Sequence, residues 1–291
     1  MCANSNTVSL PSKDVLMSLV DDESVSVREE LLRLFQKHIG EAEIFLREYA
    51  DVDDAQQQKI ARQWMADLGI EDVILNFRTF IDSFQYELET GLIMLCRTVY
   101  PEVSAKDICE FLDILAKRYY ELAVHPSSDF ERCRLLNRVL FHEYGFRGDF
   151  DNFYDPQNSF INRVLDRRKG IPLTLSTIYL LVGQRVGIEL EPVGAPGRFL
   201  VGCFSGESIF YIDPFDRGQM RTREELIIDL LRPQGVEDER VLNPCPVGEV
   251  ICRCCRNLAH QYQKIGDAEK QALFDSFIKN FDEAYEREAS E

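Results

Sequence analysis

The segment KGIPLTLSTIYLLVGQRVGI, Lys169–Ile188, has the pattern of one apolar helix bounded by glycines. Pro172 suits the first helical turn, because its ring fixes φ near the helical value and an N–H there would have no partner inside the helix. Gly187 suits the residue after a helix, where the backbone often becomes left-handed. We therefore predict a helix that runs from Pro172 to about Val186.

Three runs rich in β-branched and aromatic residues follow this helix. They are LEPVGAP, RFLVGCF and SIFYIDPF, within residues 190–215. The short FSGES between the last two is typical of a hairpin loop. A helix followed by antiparallel strands that pack against it indicates the α+β class, with an antiparallel sheet.

Helical patterns flank this central part on both sides. Residues 1–80 show apolar stripes at helical spacing, broken by an acidic turn, which predict a helical region with a HEAT-like pattern. Residues 241–291 predict two antiparallel helices joined at Ile265–Asp267, similar to a tetratricopeptide hairpin. We therefore predict three domains, 1–80, 81–240 and 241–291, the middle one including its leading helices.

The composition indicates a globular protein that stays in the cytoplasm. The 291 residues are 45% hydrophobic, and the longest apolar runs are far shorter than the ~20 residues of a membrane span. The first residues, MCANSNTVSLPSKD, lack the basic and apolar regions of a secretory signal. A net charge of -17 argues against nucleic acid and against a membrane surface as partners.

The nine cysteines predict neither a disulfide framework nor a metal site. Their number is odd, and the long chain has no secretion signal. Cys252, Cys254 and Cys255 lie in an apparent helix near His260, where neighbouring side chains point in different directions. Since zinc needs four converging ligands, we expect small buried side chains, with no metal and no cofactor.

Four segments together carry a family resemblance. They are NRVLF, GFRGD, DPQNSFINRVLDRRKGIP and DPF, within residues 135–215. This part of the chain resembles the bacterial SirB-type branch of the transglutaminase-like superfamily. The resemblance implies a papain-like α+β core, whose active members use a Cys-His-Asp triad at the start of a central helix and on two following strands.

The same resemblance implies that two of the three catalytic positions are changed. Counted back from Gly187, the cysteine position is Pro172; the histidine position is Arg198, and the aspartate position is Asp213. Proline has no nucleophile, and arginine stays protonated, which makes it a poor general base. Only the carboxylate that would orient the histidine is kept.

Other residues with catalytic chemistry lack a partner in the sequence. Thr174 and Ser176 follow Pro172 within the helix, where hydroxyls normally bond to the carbonyl four residues earlier. We interpret Cys203 as a core thiol and His142 as a helix-surface side chain. None of them forms a nucleophile–base pair that the spacing can identify.

A basic cluster precedes the central helix. Arg167 and Arg168 stand with Lys169 in an otherwise acidic protein. They can be a solvated helix end, since cations are favoured near a helix C-terminus, or an anion-binding patch beside the degenerate cleft. Asn158, or its neighbour Ser159, is predicted to cap the helix before them.

Arg198 and Asp213 are predicted to form a partly buried ion pair where active relatives have their His–Asp pair. The planar guanidinium can meet a carboxylate with two parallel hydrogen bonds. The alternative places Arg198 in solvent and lets Asp213 cap the turn at Pro214. With Asn158, Arg167 and Arg168, these two residues are our candidates for ligand binding in the cleft.

The sequence therefore predicts a non-catalytic protein that binds a protein or peptide partner through a degenerate cleft. The alternative is a cryptic hydrolase or acyltransferase that uses another constellation in the same cleft. A purely structural role of the helical flanks comes third. A nucleophile–base pair within hydrogen-bond reach in the cleft would favour the enzyme.

Overall fold

The computed structural model describes residues 10–22, 24–50, 54–124, 126–205 and 209–289. The chain divides into two compact units, Met1–Val73 and Ile74–Glu291. The domain limits predicted at residues 80 and 240 differ from this division and stay predictions. Within the described ranges, no helix combines the length and apolar character needed to cross a membrane.

The first unit is helical. Its helices are α1 (Lys13–Val20), α2 (Val25–Lys37), α3 (Ile39–Ala50) and α4 (Ala55–Leu68). Phe35 and Trp64 pack edge to face in its core, and the Trp64 indole N–H donates to the Val20 carbonyl at 3.0 Å. Asp54 caps the start of α4 by accepting from two backbone N–H groups, as an N-cap aspartate does.

The second unit contains nine further helices. They are α5 (Val73–Asp82), α6 (Leu88–Arg97), α7 (Ala105–Leu122), α8 (Asp129–Asn137), α9 (Ile161–Arg167), α10 (Pro172–Arg185), α11 (Arg223–Leu226), α12 (Val247–Ile265) and α13 (Ala268–Glu288), among the described residues. A π-helical turn, Arg138–Glu143, continues α8. The short 3-10 turns Pro156–Asn158 and Pro214–Asp216 matter below.

The strands form two small sheets. β1 (Arg147–Gly148) pairs in parallel with β2 (Lys169–Gly170). The four other strands are antiparallel in the order β3 (Glu191–Val193), β4 (Leu200–Cys203), β5 (Phe210–Asp213) and β6 (Gln219–Arg221). Residues 206–208, at the predicted hairpin loop, lie outside the described residues. The fold is α+β, as predicted.

Helix α10 is the centre of the second unit. Every residue from Leu173 to Gly183 is buried, and the helix begins at Pro172 as predicted. Gly187 follows it with φ of 70°, a left-handed value that glycine adopts without a Cβ clash. Its apolar residues share one core with those of α12 and α13, so the C-terminal hairpin packs into the same core as the sheet.

Candidate binding cleft

A cavity of about 280 Å³ opens at the N-terminal end of α10. Pro172 is the first residue of the helix, and no side chain caps its N-terminus. The cavity also lies against the turn before β4, the loop before α9 and one face of α12. Its lining consists of Phe153, Tyr154, Ile171, Pro172, Leu173, Gly197, Arg198, Phe199, Arg253, Asn257, His260 and Gln261.

Arg198 and Asp213 form the predicted ion pair. Nη1 of Arg198 lies 3.2 Å from Oδ2 of Asp213, with the arginine side chain 38% exposed and the aspartate side chain 5% exposed. One hydrogen bond joins them rather than the expected pair of bonds. Oδ1 of Asp213 accepts from the N–H groups of Phe215 and Asp216, so the carboxylate also caps the Pro214 turn. The predicted ion pair is therefore present together with the turn cap of the alternative, whereas the placement of Arg198 in solvent was wrong.

The placement of Arg198 within a strand was wrong. The turn before it closes when its N–H donates to the Ala195 carbonyl at 3.2 Å, and Gly197 has a left-handed φ of 66°. Pairing with β3 therefore starts only at Leu200, opposite Val193. Arg198 lies on the turn, where its side chain can reach both Asp213 and the cavity.

Burial and the neighbouring positive charge have opposite effects on the Asp213 carboxylate. Burial raises its pKa, while the charge of Arg198 and the hydrogen bonds from the Asp216 and Phe215 N–H groups act in the opposite direction. Desolvation disfavours a carboxylate, and a neighbouring guanidinium favours it. The pair therefore holds a buried negative charge that Arg198 compensates only in part.

Arg253 is a cleft residue that the sequence analysis missed. It projects from α12, and its Nη2 donates to the Ala195 and Arg198 carbonyls, at 3.2 Å each. Its guanidinium carbon lies 5.3 Å from the centroid of the Phe199 ring. Burial lowers its pKa, yet an arginine stays charged at physiological pH. In the sequence Arg253 stands between Cys252 and Cys254, and this pattern indicates a buried helix rather than a binding residue.

An aromatic loop extends from the rim of the cavity. Phe150, Phe153 and Tyr154 are all exposed, Phe150 to 72%. The ring centroids of Phe150 and Phe215 lie 4.6 Å apart, and those of Tyr154 and His260 lie 5.6 Å apart. The aromatic loop thus has a packed base and an exposed outer surface.

Buried charges hold this loop in place. Asp149 is buried, and its carboxylate lies 3.5 Å from Arg167 Nη2 and 3.6 Å from Lys169 Nζ. Arg167 also pairs with Asp155, at 3.1 Å. Asn158 donates to the Asn152 carbonyl at 2.7 Å. The predicted cleft residues Arg167 and Asn158 therefore support the aromatic loop from behind and do not line the cavity.

Arg168 is also occupied elsewhere. Its guanidinium lies over the rings of Phe111 and Phe146, at 4.3 and 5.1 Å from their centroids. Its φ of 59° marks the left-handed residue that ends α9. Arg168 therefore packs against these rings, and it is not among the residues that line the cavity.

The predicted cap of α9 was wrong. Neither Asn158 nor Ser159 caps this helix, which begins at Ile161 without a side-chain cap. Asn158 is instead the last residue of the 3-10 turn Pro156–Asn158, which Asp155 caps, and Ser159 follows that turn. Ser159 instead donates to Gln261 on α12 at 2.7 Å.

Residues considered for catalysis are not assembled in the cavity. Ser176 donates to the Phe199 carbonyl at 3.0 Å rather than to the carbonyl four residues earlier, because that side of α10 faces the turn before β4. Thr174 and Cys203 are buried, and burial raises the pKa of the Cys203 thiol. His142 lines a separate, shallow depression with Arg134 and Arg217.

The cavity lining contains no cysteine, serine or threonine among the residues that the structure describes. His260 supplies the one imidazole in this lining, and Tyr154 beside it supplies a phenol. Across the described part of the chain, no group of three or more His, Cys, Asp or Glu side chains is arranged to hold a metal ion.

Sequence comparisons identify relatives of this chain. Residues 106–256 match the family described as "Transglutaminase-like superfamily". The "UPF0162 protein" of Xylella fastidiosa (strain 9a5c) is 33% identical over 207 residues, which cover 66% of this chain and 72% of the relative. The Vibrio cholerae "UPF0162 protein" is 34% identical over 131 residues, 45% of this chain and 48% of the relative.

A eukaryotic protein is also similar to this chain. Human "F-box only protein 21" is 36% identical over 188 residues, which cover 53% of this chain and 30% of that protein. No solved structure gives a significant match.

Proposed function

The chain belongs to the transglutaminase-like superfamily, and on this basis we propose that it is a non-catalytic member that binds a segment of a partner protein in the cleft. One observation carries the proposal. The central helix begins with Pro172, and the described cavity lining offers no thiol and no serine or threonine hydroxyl.

The chemistry of the family's triad explains why this observation matters. A thiolate at the start of the helix attacks the substrate, and a histidine oriented by a carboxylate transfers the proton. Here the first position has no nucleophile. Arg198, at the histidine position, is held by Asp213 and cannot accept a proton at physiological pH.

The surface around the cavity supports binding. Exposed aromatic side chains next to a concave site are typical of protein–protein contact, because rigid rings bury a large area at a small entropic cost. Phe150, Phe153 and Tyr154 form such a surface beside the cavity. We propose a protein or peptide partner, and neither nucleic acid nor a membrane, on the basis of the net charge of -17.

Three finer assignments belong to the same proposal. We place the chain in the bacterial SirB-type branch, on the motifs between residues 135 and 215. We interpret α12 and α13, joined at Gly266, as a single tetratricopeptide-like hairpin. We propose the cytoplasm as the site of action, because an odd number of cysteines in a chain of this length argues against the disulfide framework of a secreted protein.

A cryptic hydrolase or acyltransferase is the second candidate. It is favoured by His260, an exposed imidazole that lines the cavity next to Tyr154. Such an enzyme would need a nucleophile from the substrate or from water, with His260 as the general base.

Affinity capture from the native cell tests the proposal. Wild-type protein is compared with Arg198→Ala in the cleft and with Arg134→Ala, an exposed arginine outside the cavity, as the matched control. We expect a partner that the wild type and the control retain and the cleft variant loses. The proposal fails if all three retain the same partners.

A parallel assay separates the two candidates. Amide hydrolysis and transamidation by the wild type are expected to stay at background, and a thiol-directed probe is expected to leave the cleft unlabelled. Saturable turnover that His260→Gln abolishes would support the enzyme instead.

A further inference from the structure

The cavity is lined by an arginine, Arg253, that forms no ion pair with the acidic side chains that the structure describes. Arg253 uses Nη2 to bond two carbonyl groups, and in the described residues no carboxylate forms an ion pair with it. Glu249, one helical turn earlier, forms its ion pair with Arg256 at 2.7 Å, and its charge only partly offsets the effect of burial, which lowers the pKa of Arg253. A partly buried cation without a counter-ion is costly, and an anionic ligand would compensate that cost.

One positive charge at the cavity remains without an ion-pair partner in the described structure. The charge of Arg198 is paired with that of Asp213, whereas Arg253 has no ion-pair partner among the described residues. The N-terminus of α10 adds the positive end of a helix dipole, because no side chain caps it. A ligand with one negative charge neutralises such a site, whereas a dianionic phosphate leaves an excess negative charge beside Asp213.

Size and surface further define the ligand. A volume of about 280 Å³ is at the small end for ligand sites, so it suits one or two side chains rather than a cofactor. The aromatic loop continues this site outwards with exposed Phe150 and Tyr154 rings. An extended segment can therefore place a carboxylate in the cavity and an apolar neighbour on the loop.

We propose that the cleft recognises a partner segment in which an Asp or Glu side chain stands next to an aromatic or aliphatic residue. The carboxylate binds between Arg253 and Arg198, and the apolar side chain packs on Phe153 and Tyr154. The inference rests on the proposed binding function and specifies its ligand. We expect a side-chain carboxylate rather than a chain terminus, because two guanidinium groups supply donors at the cavity besides the end of α10, whereas chain termini are captured in backbone N–H nests.

A random peptide library tests this ligand class. Twelve-residue segments are displayed between constant Gly-Ser linkers, so that no free C-terminus is offered, and a second arm displays the same segments with a free C-terminus. Selection on wild type is expected to enrich Asp or Glu beside Phe, Tyr, Trp or Leu in the first arm. Binders found only in the free C-terminus arm would overturn the inference.

A charge placed in the cavity serves as the matched variant. Asn257→Glu puts a carboxylate into the lining without removing a contact of Arg253, and Gln263→Glu puts the same charge on the exposed face of α12. A selected peptide is expected to bind Asn257→Glu at least about tenfold more weakly than the Gln263→Glu control, since charged hydrogen bonds contribute about 1.5–3 kcal/mol. The Glu→Gln version of the peptide is expected to lose a similar factor on the wild type.

The outcomes separate the inference from the proposed function. Peptides that lose binding to Phe153→Ser but carry no acidic residue would overturn the ligand class and keep the cleft as a binding site. Peptides whose affinity is the same for wild type, Asn257→Glu and Phe153→Ser would overturn both. Circular dichroism and thermal unfolding of each variant exclude loss of folding as the cause.

Discussion

Two basic regions of this acidic chain differ in what surrounds their charges. The basic turn, Arg167–Lys169, is neutralised by Asp149 and Asp155 or covered by aromatic rings. Of the two cleft arginines, Arg198 pairs with Asp213, whereas Arg253 bonds only to the carbonyl groups of Ala195 and Arg198 among the described residues. A basic run in a sequence is therefore a poor guide to a binding site. A better indicator is whether each basic side chain has an acidic side chain within contact distance.

The largest effect is expected from Asp149→Asn, behind the basic turn. Asp149 is buried beside two partly exposed cations, so its removal leaves Lys169 without a counter-ion and Arg167 with Asp155 alone, at a cost of about 2–3 kcal/mol. Urea unfolding measures the difference. Asp151→Asn, on the exposed side of the same loop, is the control and is expected to change stability by less than about 0.5 kcal/mol.

A double-mutant cycle measures the pair in the cleft. Arg198→Met and Asp213→Asn are combined, and asparagine can still accept the N–H groups of the Pro214 turn. Because Asp213 is buried while Arg198 is 38% exposed, we expect a coupling free energy of about 1–2 kcal/mol. A coupling near zero would mean that the pair does not hold the turn before β4 against the end of β5.

The pH dependence of stability follows from the raised pKa of Asp213. Because the folded-state pKa lies above the ordinary value of 3.8, the stabilisation belongs to the protonated form, and it is lost as the pH rises through the folded pKa. Wild type is therefore expected to lose stability relative to Asp213→Asn as the pH rises above about 4. Arg198→Met removes an opposing charge and should extend this loss to higher pH. Denaturant unfolding at a series of pH values checks both, and an opposite slope would contradict the assignment.

A smaller effect on stability is expected in the cleft. Arg253→Gln removes two hydrogen bonds to carbonyl groups but also an unbalanced charge, so we expect a change of about 1 kcal/mol or less. Arg167→Gln leaves Asp149 buried beside Lys169 alone and should cost more. Thermal unfolding of the two variants gives the comparison. A larger loss for Arg253→Gln would mean that this arginine is chiefly structural.

The sequence predicts the centre of the fold because its signals are local. An apolar run between Pro172 and Gly187 defines α10, and the motif around Asp213 identifies the carboxylate. Arg253 could not be found in this way, since its partners are the carbonyls of Ala195 and Arg198, distant in sequence.

The basic turn was misjudged for the same reason. Arg167 looked available because its counter-charges, Asp149 and Asp155, lie in a preceding loop whose path no local pattern predicts. Local periodicity predicts elements, whereas charge balance depends on how distant segments are brought together.

The most direct test of the account compares one arginine from each region in binding. Affinities of Arg253→Gln and Arg167→Gln for the same library-selected acidic peptide are measured by isothermal titration calorimetry, using preparations shown to be folded. We predict at least about a tenfold loss for Arg253→Gln, since a charged hydrogen bond is removed, and less than about a threefold change for Arg167→Gln. Equal losses, or a larger loss for Arg167→Gln, would contradict the assignment of the cleft arginines as the binding groups.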